Sequence, residues 1–309
     1  MGMSHPQTLV EFMEMYPAQD ACRRGPSSSS AGEGAFRCPR CAHEVAWYLR
    51  GRGLYECAGC GYQASVTAGT LLHKTRTDLR KWLLAIWLLA SMKKPPSAAE
   101  LARQLGVTVK TGWLLRRKVT HAMRRGEHEL LLCGVVELDE SLVGGREPGS
   151  GLRGRASQRK TLVAVSAQHT PGGGLGRAHL RVIDDASAKT LTGAAGVMIQ
   201  PGSTVRTDGW RSYGALPAAG YRHEPHVQPT PQAASELLPW VHIVISNFKR
   251  WQLDVFHGVS AAHLQSYLDE FCYRLNRRDQ RLDLFRRILN RRVLYTPPTT
   301  YAQLIARAA

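Results

Sequence analysis

Two C-x-x-C pairs, Cys38/Cys41 and Cys57/Cys60, constrain this chain more than any other stretch. Fifteen residues lie between the pairs, room enough for a β-hairpin. Four thiolates in two such knuckles match a tetrahedral Zn²⁺ held in a ribbon, each pair gripping one side of the metal. Phe36, Trp47, Tyr48, Tyr55 and Tyr62 flank the knuckles. They are expected to cover a mini-core too small to stand without metal. Cys22, Cys133 and Cys272 have no partner spacing and read as buried thiols. His43, beside a complete thiolate set, reads as a surface residue.

At 309 residues the chain exceeds one typical domain, so two or three are expected. Its 41 Lys+Arg against 24 Asp+Glu give a net charge of +17. Such an excess points to a polyanionic partner, nucleic acid first, with a membrane surface as the rival. No apolar run reaches the about 18 residues that span a bilayer. KWLLAIWLLASM (81–92) comes closest. No signal peptide is evident, and a cytoplasmic chain is expected. In that compartment cysteines serve as metal ligands or free thiols rather than disulfides.

Taken in order, residues 8–23 read as an amphipathic helix interrupted near Pro17, followed by the low-complexity linker GPSSSSAGEG (25–34). After the ribbon, residues 69–93 read as one helix ended by Pro95 and Pro96. Residues 97–123 read as a helix-turn-helix, with a capping box from Ser97 and Glu100 and the turn at Gly106. Its second helix carries Lys110, Arg116, Arg117 and Lys118, the outline of a major-groove reader. A Gly-rich loop (143–160) holds Arg153, Arg155, Arg159 and Lys160 and suits a phosphate backbone. The C-terminal stretch 260–294 reads as helical and very basic, through Arg274, Arg277, Arg278, Arg281, Arg286 and Arg287.

The chemistry centres on GVVELDES (134–141). Val135, Val136 and Leu138 read as a buried strand that delivers Asp139 to its end, a rigid place for a hard divalent cation. Parity puts Glu137 on the face of Asp139 and Glu140 on the other. TLVAVSAQ (161–168) and AHLRVID (178–184) complete an antiparallel meander. A helix follows at 187–200, with Asp184 and Asp185 as helix-start acids. A fourth strand (203–213) runs into Asp208. A last helix (235–253) carries His242 and Lys249 on one face, with a strand as the alternative for the β-branched VHIVIS. Strand, strand, strand, helix, strand, helix is the order of a ribonuclease H-like core, in which strands one and four lie side by side. Asp139 and Asp208 then converge although 69 residues apart.

With these pieces in place, the chain resembles the insertion-sequence transposases that join an N-terminal zinc ribbon to an ISXO-like ribonuclease H-type domain. The resemblance runs from about residue 9 to residue 292. It rests on FRCPRC, YECAGCGYQASVTAGT, VELDESLVGG, TDGWRSY, and SNFKRW followed by FHGVSAAHLQSYLDEFCYRLNRR. It implies a DDE- or DDH-type active site with Asp139 and Asp208 as first and second aspartates. The third position of such enzymes is Glu, Asn or His with a Lys seven residues on, which falls here on His242 and Lys249. A common family form has Asn-x-x-Glu in this helix. This chain has Pro239 and His242 instead, with Glu236, Asp269 and Glu270 as fallback acids. The linker GPSSSSAGEG is a second departure.

The resemblance further implies Mg²⁺ or Mn²⁺ on Asp139, Asp208 and His242, and a phosphate contact for Lys249. It implies binding of the element's terminal repeats, strand cleavage, and strand transfer to target DNA by a homo-oligomer that synapses two ends. The residues alone also admit a non-catalytic DNA-binding regulator and a metal nuclease without strand transfer. The expected fold is α/β of mixed α+β character. Its parts are an N-terminal helix and flexible linker (1–34), the ribbon (35–68), the helix-turn-helix region (69–125), the ribonuclease H-like catalytic domain (130–294) and a tail (295–309).

Overall fold

The computed structural model describes residues 5–24, 36–124, 130–144, 160–227, 237–256 and 261–305. The linker, Arg153, Arg155, Arg159 and Glu236 lie outside the described residues. The chain divides into two compact units, Met1–Ala122 with Gln280–Ala306, and Met123–Asp279 with the last three residues. Among the described residues no helix is long and apolar enough to cross a membrane.

The first unit opens with α1 (Leu9–Met15) and α2 (Gln19–Arg24) on either side of Pro17. A reciprocal capping box between Thr8 and Glu11 starts α1. Phe12 is fully buried against Tyr16, Trp87 and Phe285. The ribbon is a three-stranded antiparallel sheet of β1 (Ala46–Leu49), β2 (Leu54–Cys57) and β3 (Gln63–Ala64). Helix α3 spans Leu79–Ser91, ten residues later than the expected start. Thr70 and Thr75 bond the backbone within two or three residues of themselves and hold the preceding segment in turns. Asp78 then caps the helix by accepting from Arg80 N–H at 2.7 Å.

Helices α4 (Ala98–Leu105) and α5 (Val109–Arg124) form the expected helix-turn-helix. Gly106 closes α4 at φ 60°, a left-handed conformation in which glycine carries no Cβ penalty. Ser97 caps α4 through Glu100 N–H, but the Glu100 carboxylate turns to Arg103 and Gln104. The two helices approach so closely at Gly112 that a Cβ there would lie 2.6 Å from the Ala98 carbonyl oxygen. Short helices α9 (Leu284–Ile288) and α10 (Tyr301–Ile305) belong to the same unit.

The second unit is a five-stranded sheet of β4 (Val135–Val143), β5 (Thr161–His169), β6 (Leu175–Ile183), β7 (Thr204–Thr207) and β8 (Arg222–Pro225). Its spatial order is β6-β5-β4-β7-β8, with β4, β5 and β6 antiparallel and β4, β7 and β8 parallel. This is the ribonuclease H-like core. One face packs Val163, Val165 and Ala167 against α7 (Pro239–Phe256) and α8 (Leu264–Leu275). The other packs Val136, Leu138 and Val205 against α6 (Ala188–Met198) and the 3₁₀ turn holding Tyr213. The side chains of Gln265 and Asn276 bond the backbone of β6 at Val182, Leu180 and Ala178, which closes the sheet edge.

Three expectations change here. The strand expected over 203–213 stops at Thr207, because Asp208 accepts from Trp210 N–H and Thr207 Oγ1 from Gly209 N–H, turning the chain. Strand β8 carried no sequence signal, since RHEP has neither apolar alternation nor β-branched residues. The C-terminal stretch is not one helix: α8 ends at Asn276, whose side chain is committed to Ala178.

Gly112→Ala should destabilise the chain by about 1–2 kcal/mol, because overpacking against a backbone oxygen outweighs the gain in helix propensity. Denaturant unfolding of the full chain measures it, and an unchanged or higher midpoint would remove the proposed close contact.

Candidate active site and metal centre

The zinc knuckles share one backbone solution. In each, the residue after the second cysteine is left-handed, Ala42 at φ 61° and Gly61 at φ 65°. In each, that residue's N–H donates to the carbonyl of the first cysteine, and the first cysteine's N–H to the carbonyl five residues on. The four sulfurs all lie within 4.8 Å of one another, with Cys38–Cys60 at 3.7 Å and Cys41–Cys57 at 3.5 Å. Ligands at about 2.3 Å on tetrahedral zinc stand about 3.8 Å apart, so the set fits Zn²⁺. Phe36, Tyr48 and Tyr55 form the aromatic cover, with Phe36 stacked on Tyr55 at 5.7 Å. Trp47 and Tyr62 are exposed instead, Trp47 because it alternates to the outer face of β1. Cys22 and Cys272 are buried as expected, whereas Cys133 is exposed just before β4.

Strand β4 divides its polar side chains by parity. Glu137 is fully buried and meets the start of α7. Its Oε2 accepts from Trp240 N–H at 2.8 Å and Val241 N–H at 2.9 Å, and its Oε1 lies 2.8 Å from His169 Nε2. The residue before α7 is Leu238, which has no side-chain oxygen, so Glu137 supplies the cap from another element. Pro239 at the first helical position needs no partner for its nitrogen. Glu140, on the opposite face, accepts from the Tyr213 hydroxyl at 2.6 Å. Burial first, then the charges of Glu140, Asp139 and Asp208, hold the Tyr213 phenol well above its ordinary range, so it stays a donor.

Asp139 stands two residues beyond Glu137 on the same face, half-buried. The β4–β7 register pairs Val135 with Thr204, Val136 with Val205 and Glu137 with Arg206. Continued two steps, it sets Asp139 beside Asp208, which directly follows β7. On α7, His242 is half-buried. Its Nε2 is buried and has no hydrogen-bond partner among the described residues. Lys249 is two turns further along, and its Nζ donates to Ser141 Oγ at 3.0 Å. Partial burial first, and the charge of Lys160 second, lower the Lys249 pKa. Carboxylate oxygens and an unpartnered imidazole nitrogen are donor types that a divalent cation accepts. No three ligand atoms of this group come within 4.8 Å of one another; among the described residues only the four cysteines do.

Other acids are committed elsewhere. Asp185 accepts from Ser187 N–H at the start of α6. Asp269 is buried with Arg124 at 3.3 Å and Gln265 at 2.8 Å, and Glu270 is fully buried in α8.

The cations expected on DNA fall differently from their sequence outline. Arg116 and Arg117 are buried, with Arg116 Nε donating to the Pro96 carbonyl and Arg117 Nη2 to that of Leu304. Lys118 is half-buried, donates to the Leu71 carbonyl at 2.9 Å, and has its pKa lowered by burial. These three close the helical packing of their own unit and do not face outward. Of the four, Lys110 is the exposed one. In the C-terminal stretch, Arg278 donates to the carbonyls of Gly176 and Leu175, and Arg286 and Arg287 pair with Asp283.

Asp139 was expected at the end of its strand but sits in the middle of β4, which runs on to Val143, whereas Asp208 directly follows β7. A ribonuclease H-like sheet of this kind beside a zinc ribbon points to the class of nucleic-acid-processing proteins. Residues 131–276 match the ISXO2-like transposase domain, and residues 30–63 match the transposase zinc-ribbon domain. The chain belongs to the insertion-sequence transposases that combine these two domains. No curated protein matches it.

Two outcomes follow from this geometry. Chelation of zinc, or Cys57→Ser, should strip hydrogen-exchange protection from β1–β3 while the amides of β4 and β5 keep theirs; ribbon amides that stay protected without metal would contradict a metal-dependent mini-core. Glu137→Ala should cost about 3 kcal/mol or more in denaturant unfolding, because it leaves two helix N–H groups and the half-buried His169 without their acceptor. Glu137→Gln should lose less, since its amide oxygen still accepts.

Proposed function

We propose that this chain catalyses the DNA chemistry of its own insertion sequence, cutting at the terminal repeats and joining the freed 3′-OH to target DNA. The observation that supports the reading is the parallel β4–β7 register, whose continuation two steps past Glu137–Arg206 aligns Asp139 with Asp208. His242, with its unpartnered Nε2, and Lys249, with its amine over Ser141, support it. In this reading Asp139, Asp208 and His242 hold two Mg²⁺ or Mn²⁺ ions. Such a pair, when bound, stabilises the attacking and leaving oxygens of an in-line displacement. Lys249 orients a phosphate of the bound strand, its ammonium held over Ser141. Glu137 keeps His242 and Lys249 at their height above the sheet by holding the first turn of α7.

The zinc ribbon and the helix-turn-helix read the terminal repeats, with Lys110 on the exposed start of α5 as a contact. Arg153, Arg155, Arg159 and Lys160 of the basic loop contact the DNA backbone. Synapsis of two ends requires at least a dimer, and the protein works in the cytoplasm on the nucleoid.

Asp139→Ala and Asp208→Ala should each abolish cleavage of a terminal-repeat substrate and joining of a pre-cut end to a plasmid, while retaining the repeat footprint. Strand transfer by either variant would overturn the assignment. A footprint with no joining by the unaltered protein, in Mg²⁺ or Mn²⁺, would identify a DNA-binding regulator. Cut ends without joined product would identify a nuclease.

A further inference from the structure

Nothing in the sequence singles out His226. Strand β8 runs parallel to β7, with Thr204 paired to Arg222 and Thr207 to Pro225. The His226 N–H donates to the Thr207 carbonyl at 2.8 Å, the bond that closes the Thr207–Pro225 pair, and His226 directly follows β8 as Asp208 directly follows β7. With both registers continued past their last pairs, Asp139 of β4 lines up with Asp208 and His226, the residues that directly follow β7 and β8.

The faces agree. Arg206 and Glu224, matched across β7 and β8, meet at 2.9 Å, so paired residues of these strands point the same way. Thr207 and His223 meet at 2.9 Å on the opposite face. By the same alternation, His226 shares a face with Asp208, Asp139 and Glu137. That is the face on which Glu137 receives α7, the helix that carries His242.

The second observation is chemical. His226 Nε2 is buried and has no hydrogen-bond partner among the described residues, as is true of His242 Nε2. A buried imidazole nitrogen without a partner costs about 1–3 kcal/mol and calls for an ion or a donor in its place. Two such nitrogens are present, one directly after β8 and one on α7.

We infer that His226 is a ligand of the catalytic divalent metal on the Asp208 side, with His242 serving the Asp139 side. The inference rests on the transposase reading of the site and deepens it. Two ions about 3.5–4 Å apart place their outermost ligands roughly 6–8 Å from each other. A row shared between two ions therefore does not draw any three of these ligand atoms within 4.8 Å. Two imidazole nitrogens also shift the site's preference from Mg²⁺ toward Mn²⁺, because the smaller, harder ion favours all-oxygen coordination.

The test is Mn²⁺ binding to the full zinc-loaded chain without DNA. Loss of the free-ion electron paramagnetic resonance signal measures affinity, and pulsed spectra read ¹⁴N coupling from imidazole. His226→Ala and His226→Gln should bind Mn²⁺ about 10–100-fold more weakly and lose one imidazole coupling, with far-UV circular dichroism unchanged. Asp139→Ala should lose binding altogether. If both His226 variants match the unaltered protein in affinity and coupling while Asp139→Ala loses the metal, the His226 assignment is overturned and the transposase site stands. If Asp139→Ala also binds normally, or the unaltered chain binds no Mn²⁺, the site reading fails and His226 falls with it. His226→Gln keeps the test decisive if the alanine variant does not fold.

Discussion

The ribonuclease H-like unit depends on one buried carboxylate. Glu137 lies on the central strand, out of water, and finds its partners in the first-turn amides of α7 and in His169. A helix start leaves N–H groups without intrahelical acceptors, and its dipole favours negative charge there. Leu238 and Pro239 provide no cap, so the helix takes one from the sheet. That contact fixes where α7 begins along β4, and the remaining geometry follows. His242 comes one residue after the capped turn, and Lys249 reaches Ser141 two turns later. Four consecutive side chains of β4 thus have four separate tasks. Glu137 anchors, Leu138 fills the opposite core, Asp139 faces the site, and Glu140 takes the Tyr213 hydroxyl.

A net charge of +17 is a sound guide to a polyanionic partner but a poor guide to which residues meet it. Arg116, Arg117 and Arg278 spend their guanidinium donors on carbonyls of their own chain. A planar fork with five donors suits turns and strand ends that hold several unsatisfied carbonyls. Basic residues on a helix in sequence therefore divide into structural clamps and an outward set, and only burial tells them apart. Lys110 belongs outside because it sits at the exposed start of α5.

Much of the architecture was legible in the residues. The cysteine spacing led to the ribbon, because four thiolates in two knuckles admit few arrangements. The meander, the helix and the return strand led to the ribonuclease H-like order, because each element's apolar period is local. Glu137 was readable as sharing the face of Asp139, since strand parity is strict. Its role as a cap was not, because its partners lie 103 and 104 positions away. Strand β8 was missed because its pairing, not its composition, makes it a strand. The late start of α3 was missed because threonine side chains compete for the backbone within three residues.

The sequence by itself determined the metal-binding cysteines, the transposase and zinc-ribbon domains and the order of the elements, all carried by local spacing and motif. Only the tertiary structure decided which cations are withdrawn into the fold, which acid holds α7 in place, and that β8 pairs beside β7. Those outcomes depend on register between strands and on burial, and both arise from contacts between residues far apart in the chain.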